Sequence, residues 1–151
     1  MQPGKPFVAN RLFNELLQKI IPKTIPLVNV TDAAQEQEVI FLDAREIEEY
    51  KISHIKDAVH VGCKQFEITS LTHLAKNKKI IVYCSVGWRS AKIGERILKA
   101  GYKEVYNLYG GIFEWANQGC PLYCKNSRTL TIHVYSKAWS MWVTQNLKKI
   151  V

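Results

Sequence analysis

Apolar and β-branched residues recur along this chain in short, nearly continuous runs separated by polar or glycine-containing stretches. Five such runs lie at 27–30, 39–42, 58–61, 80–83 and 105–108. Continuity, rather than strict alternation, is the pattern of strands covered on both faces. The intervening segments read as helices. A short one fits 46–50, and a longer one fits 89–100, where Ala91, Gly94, Ile97 and Leu98 fall at helical spacing and Gly101 is placed to end it. Strands alternating with helices predict an α/β fold, an open, mostly parallel five-stranded sheet with helices on both faces. Two further segments flank it. Over 11–21, Leu12, Phe13, Leu16, Leu17, Ile20 and Ile21 share one helical face and Pro22 stops the helix. Over 129–135 the pattern alternates, with Leu130, Ile132 and Val134 on one side. A helical stripe of Trp139, Trp142, Val143, Leu147 and Ile150 follows. The expected organisation is therefore a capping helix at 1–26, a central domain at 27–124 and a strand–helix extension at 125–151 packed on that domain. The alternative for the extension is a partner-binding surface anchored by its two tryptophans.

The length of 151 residues suits one domain with a sizeable core. The net charge of +8 comes from 21 Lys and Arg against 13 Asp and Glu. These bases are spread along the sequence, with only short pairs such as Lys78-Lys79 and Lys148-Lys149, and no nucleic-acid motif accompanies them. The charge is read as solubility plus attraction of small anions, and no nucleic-acid partner is expected. No stretch reaches the length of a membrane span, and the first twenty residues lack the apolar core of a secretory signal. A cytoplasmic location without a membrane partner is the expectation.

Cys63, Cys84, Cys120 and Cys124 are the four cysteines. A cytoplasmic chain of this size does not need disulfides. Cys120 and Cys124 are poorly spaced for zinc, and His133 is a lone third candidate ligand, so neither metal nor cofactor is expected. Cys63 or Cys124 qualifies as a resolving thiol if the fold brings it near Cys84.

Chemistry concentrates at Cys84-Ser85-Val86-Gly87-Trp88-Arg89-Ser90. The order is strand, tight glycine-containing loop, helix. Backbone N–H groups in such a loop, with the first turn of the following helix, converge on one point and favour negative charge there. A cysteine at that point favours its nucleophilic thiolate form. Arg89 adds a positive charge at the far end, and Trp88 is expected to rim the pocket mouth. In open α/β sheets ligands bind beyond the carboxyl ends of the strands. Cys84 follows one strand and Asp43 and Arg45 follow another, which makes Asp43 and Arg45 candidate supporting residues. Arg45 is spaced to pair with Glu49 or with Asp43, and a structural ion pair is the favoured reading. His54 and His60 are read as structural.

The loop resembles the active-site loop of the rhodanese family of single-domain sulfurtransferases. Three other stretches extend the resemblance over 27–124. Ile40-Phe41-Leu42-Asp43-Ala44-Arg45 with Glu48-Glu49-Tyr50 is similar to the family's Asp-x-Arg signature. Ser53-His54-Ile55-Lys56-Asp57-Ala58 is similar to its His-Ile turn, with Asp57 where the family carries glycine. Asn107-Leu108-Tyr109-Gly110-Gly111-Ile112-Phe113-Glu114-Trp115 is similar to its closing segment. The resemblance implies a rhodanese-like domain and a sulfurtransferase. Cys84 would take a sulfane sulfur from thiosulfate or another persulfide donor and pass it to cyanide or a thiol. Ser85, Val86, Gly87, Trp88, Arg89 and Ser90 would form the persulfide cradle. A sulfur-relay protein is a further candidate partner. The runner-up is a persulfide carrier loaded by a partner protein. An arsenate reductase or phosphatase is disfavoured, because Cys84 to Arg89 is Cys-x-x-x-x-Arg, one residue shorter than the oxyanion-binding loop of those enzymes.

Overall fold

The computed structural model describes residues 5–144 and 146–151. The first four residues of the expected N-terminal segment, and Gln145 in the expected C-terminal extension, lie outside the described residues.

The continuous apolar runs form β1 (Leu27–Val28), β2 (Val39–Asp43), β3 (Val59–His60), β4 (Lys79–Tyr83) and β5 (Glu104–Leu108). They pair in parallel in the order β1-β5-β4-β2-β3. This is the α/β architecture expected from the pattern. Strand β4 lies at the centre, and the period-2 alternation of its side chains divides the core. Ile81 and Tyr83 face one hydrophobic cluster; Ile80, Val82 and then Cys84 face the other.

The second cluster is covered by α4 (Trp88–Lys99), through Ile93 and Ile97, and by a 3-10 turn at Ile68–Leu71. The first is covered by α1 (Arg11–Ile20), α2 (Val30–Ala33) and α5 (Gly111–Asn117). Helix α1 starts at Asn10, whose side chain accepts the Phe13 N–H at 2.9 Å. It buries Phe13 and Leu17 but leaves Leu12 facing outward. Helix α3 (Ile47–Ile52) is fixed by a capping box between Glu46 and Glu49.

Several boundaries differ from the pattern. Val30 opens α2 instead of ending β1. The run at 58–61 is ordered as a two-residue edge strand whose Val59 is exposed. Asp57, at the glycine position of the turn before it, adopts φ 59°, the left-handed conformation that Asp and Asn tolerate better than most residues. Beyond α5 the chain makes a hairpin, β6 (Leu122–Cys124) with β7 (Ser127–Thr129), that the pattern did not reveal. The alternating stretch supplies β8 (Thr131–His133).

The expected C-terminal helix is a 3-10 segment, Lys137–Trp142, followed by β9 (Lys148–Ile150). Parallel pairing with β8 satisfies the backbone of this last stretch: Lys148 N–H donates to Leu130 O at 2.8 Å and Val134 N–H to Ile150 O at 2.7 Å. Ile132, Val134 and Val143 join the α1 side of the core. Trp142 stacks on Phe13 with ring centroids 5.3 Å apart.

Candidate active site

Cys84 directly follows β4, at the carboxyl edge of the sheet, and is 1% exposed. Its loop is held open from behind by α5. Gly110, Ile112 and Phe113 donate their N–H groups to the carbonyls of Val86 (3.1 Å), Cys84 (3.0 Å) and Ser85 (3.1 Å). In a trans peptide the next N–H points opposite to the carbonyl, so these bonds turn the loop amides away from α5. The amide of Gly87 thereby donates to Cys84 Sγ at 3.1 Å. This close approach explains Gly111. A Cβ there would drive into the carbonyl oxygens of Cys84 and Ser85, and its φ is 58°. Gly87, at φ 125°, makes the turn into α4.

A hydrogen-bond chain supports the sulfur from below. Asn107 Nδ2 donates to Gly87 O at 2.9 Å, which fixes the amide so that its Oδ1 accepts from Ser90 Oγ at 2.6 Å. Ser90 Oγ lies 3.4 Å from Cys84 Sγ. Both Ser90 and Asn107 are fully buried.

Arg89 does not present an open positive charge. Its guanidinium binds both carboxylate oxygens of Glu49, at 2.7 and 2.9 Å, and donates to Ser85 Oγ at 2.9 Å. Burial opposes the charge of Arg89, but the Glu49 contacts and the nearby Cys84 outweigh it and hold its pKa above the ordinary value. Burial likewise pushes the Glu49 carboxyl up, and Arg89 more than reverses this, leaving it below the usual carboxylate range. The pair fastens α3 to the loop.

Asp43 and Arg45 form a second, fully buried ion pair at 2.7 Å, with Arg45 Nη2 also donating to Ser53 O at 2.7 Å. Glu49 is thus the partner of Arg89, not of Arg45. Neither Asp43 nor Arg45 lines the cavity described next. The His60 ring contacts Arg45 O through Nε2 at 2.6 Å, and His54 stacks on Tyr50 with its Nδ1 3.0 Å from Tyr50 O.

Above Cys84 opens a cavity of about 520 Å³. From the expected loop it takes Cys84, Ser85, Val86, Trp88 and Arg89 as lining; Gly87 and Ser90 lie beneath. Trp88 stands at the rim, 47% exposed, with the Lys92 ammonium 3.8 Å from its ring centre. Residues not foreseen complete the wall. Cys63, Lys64 and Glu46 come from the β2–β3 side, Ile20 from α1, and Tyr135 and Trp139 from the C-terminal extension. Lys92 was legible as the residue one helical turn beyond Trp88, and Asn107 as a polar interruption of an apolar strand. Tyr135 and Trp139 carried no such signal, since only the folded chain brings them here.

Cys63 is therefore the cysteine that shares the cavity with Cys84, and burial pushes its thiol pKa up. Cys124 instead donates to Lys51 O at 3.4 Å. All four cysteines are free. Among the described residues there is no group of three or more His, Cys, Asp and Glu that could hold a metal ion, and no helix long and apolar enough to cross a membrane.

The Rhodanese-like domain family matches residues 28–118, more than half of the chain. The chain belongs to the rhodanese-like domain family. Solved structures share its fold. A Bacillus halodurans protein covers 78% of this chain and 87% of its own at TM-score 0.60 and 22% identity, a likeness of fold alone. A rhodanese-related protein from Thermoplasma volcanium covers 65% of this chain and 97% of its own at TM-score 0.55 and 26% identity.

Curated relatives of this rhodanese-like chain bear another kind of name. It is 40% identical over 88 residues to the tRNA uridine(34) hydroxylase of Aster yellows witches'-broom phytoplasma (strain AYWB), spanning 55% of this chain and 29% of that protein. It is 31% identical over 129 residues to the tRNA uridine(34) hydroxylase of Buchnera aphidicola subsp. Schizaphis graminum (strain Sg), spanning 80% of this chain and 40% of that protein. The chain thus covers well under half the length of these relatives.

These relatives correct two expectations. The assignment as a thiosulfate sulfurtransferase acting through a Cys84 persulfide, with its carrier and oxyanion-enzyme alternatives, is overturned by hydroxylases that share the domain. A fold and its cysteine loop do not fix the reaction. The exclusion of nucleic acid is overturned by the same proteins, whose name includes tRNA. Dispersal in sequence is not dispersal in space, since Lys64 and Lys92 meet around one cavity.

Proposed function

We propose that this chain serves the hydroxylation of uridine 34 in tRNA, with Cys84 as the nucleophile. The alignment with the Buchnera hydroxylase, which runs through 80% of this chain, carries the reading. The site supports it chemically. A sulfur at the floor of the cavity, facing the Gly87 N–H, suits attack on an electron-poor carbon. In uracil that carbon is C6. Addition forms the S–C6 bond while the C5–C6 π pair moves toward C5, which becomes electron-rich. C5 then attacks one oxygen of a peroxide, the class of co-reactant this step requires. The O–O bond breaks with its electron pair leaving as hydroxide, and loss of the C5 proton and of the thiolate from C6 restores the double bond in a 5-hydroxyuracil. Glu49 and Arg89 position the loop, and Ser90 and Asn107 orient the sulfur. A cytoplasmic site of action goes with a tRNA substrate.

The test is nucleoside mass spectrometry of tRNA from cells that lack the gene, complemented with wild-type or Cys84→Ala protein. The expected result is a wobble uridine carrying one extra oxygen with wild type and none with Cys84→Ala. A level of modified uridine unaffected by loss of the gene overturns the reading.

A further inference from the structure

We infer that the cavity over Cys84 is a binding site for one unpaired, unstacked pyrimidine nucleotide. Trp88, Tyr135 and Trp139 form an aromatic collar for its base, and Lys64 and Lys92 meet its phosphates. The choice of nucleotide rests on the tRNA reading above; the collar and the charges rest on the geometry.

The volume of about 520 Å³ lies within the roughly 300–1,000 Å³ of small-ligand sites. Its wall combines π faces with cations, the two elements by which proteins hold single-stranded nucleic acid. Arg89 is neutralised by Glu49, so the positive charge left for a ligand belongs to Lys64 and Lys92, against the one Glu46 carboxylate in the same wall. Among the described residues neither lysine has a carboxylate within ion-pair distance. Lys92 rests on the Trp88 ring instead, at 3.8 Å, and both lysines are exposed.

Tyr135 is the second, independent pointer. It holds φ 67°, a conformation that a bulky side chain rarely adopts. Two contacts accompany it. Its N–H donates to His133 Nδ1 at 3.0 Å, and the Arg89 guanidinium lies over its ring at 5.0 Å. Strain of this kind persists where surrounding structure dictates it, and it clusters at ligand clamps. Here it turns an aromatic ring over the loop that bears Cys84. The depth of the sulfur then selects the strand state. A base stacked within a duplex cannot approach an atom of a residue 1% exposed, whereas a base extruded from the stack can.

The experiment titrates the full chain, at fixed low salt, with a fluorescently labelled RNA hairpin bearing uridines in its loop and with the fully paired duplex of the same sequence. The hairpin is expected to bind at least about tenfold more tightly than the duplex. Trp88→Ala should weaken the hairpin by about tenfold while leaving the duplex nearly unchanged, and Trp88→Phe should restore most of the loss. Trp88 is half exposed, so its replacement leaves the core intact. Equal binding of hairpin and duplex, or a Trp88→Ala variant indistinguishable from wild type on the hairpin, overturns the inference even where wobble hydroxylation depends on the gene. Hairpin selectivity that depends on Trp88 in a protein whose loss leaves tRNA hydroxylation unchanged upholds the nucleotide site and overturns only the reaction.

Discussion

Glu49 and Arg89 show how one buried charge pair fixes the shape of the loop. The side chain of Glu49 is 3% exposed and that of Arg89 15%, so each would be costly without the other. Replacing Glu49 with Gln removes the negative charge but leaves Arg89 buried. The expected loss is about 3 kcal/mol of unfolding free energy, readable in denaturant melts. The pH dependence follows from the direction of the Glu49 shift. Its carboxyl titrates below the ordinary 4.5 when folded, so its contribution is complete above that value. The contribution is lost as pH falls through the lower folded value. Melts from neutral pH to about pH 3 should therefore show the wild-type advantage over Glu49→Gln shrinking only below 4.5. An advantage that stays flat across that range would mean that it does not come from the ionised Glu49 carboxylate. Cys84→Ser tests the neighbouring position. The hydroxyl is nearly the size of the thiol and keeps Gly87 and Ser90 as partners, so stability should change by less than about 1 kcal/mol. The hydroxylation proposed for the site should nonetheless disappear, since a serine hydroxyl has no anionic form to offer near neutral pH.

Helix α5 acts on the site from behind, because its N-cap and first turn bind three successive loop carbonyls. Gly111→Ala should therefore unsettle the loop as well as the helix. The left-handed φ and the approach to the carbonyls of Cys84 and Ser85 together predict a loss of at least about 2 kcal/mol. Thermal melts, with the rate of Cys84 alkylation as a readout of loop shape, check it; an unchanged melt and rate would show that the loop holds itself. Much of this architecture was legible in the sequence. The paired glycines, the apolar runs of β2, β4 and β5 and the cysteine loop are local signals, and Asp57 even marks the turn where glycine would be at ease. The pairing of Arg89 with Glu49 was not, since the spacing of Arg45 to Glu49 offers an equally good helical pair. The C-terminal extension failed for a related reason. Trp139, Trp142 and Val143 satisfy a helical stripe, yet a short 3-10 segment satisfies it too. Only β8, brought alongside by the fold, decides that 148–150 is a strand.

Across the whole molecule the extension links the core to the cavity. Trp142 stacks on Phe13 while Tyr135 and Trp139 reach the wall above Cys84, so the same segment stabilises the domain and shapes the site. Charge is organised on this scale as well. The net +8 is dispersed along the sequence, but Lys64 and Lys92 flank the cavity at the carboxyl edge of the sheet, whereas Lys78 precedes β4 at the opposite edge. RNA binding through phosphates releases counterions, and each contact contributes roughly 0.7 to the slope of log affinity against log salt for a single strand. If the cavity rim is the contact surface, replacing Lys64 and Lys92 together with Gln should lower that slope by roughly 1.4. Lys78→Gln should leave it nearly unchanged. Titrations of the loop-bearing hairpin at several salt concentrations measure both. Equal slope changes for the rim and the opposite edge would mean that RNA is held by the diffuse field of a basic protein, without a defined approach to Cys84. A slope change confined to the rim would place the phosphates beside the cysteine, which an extruded base needs in order to reach it.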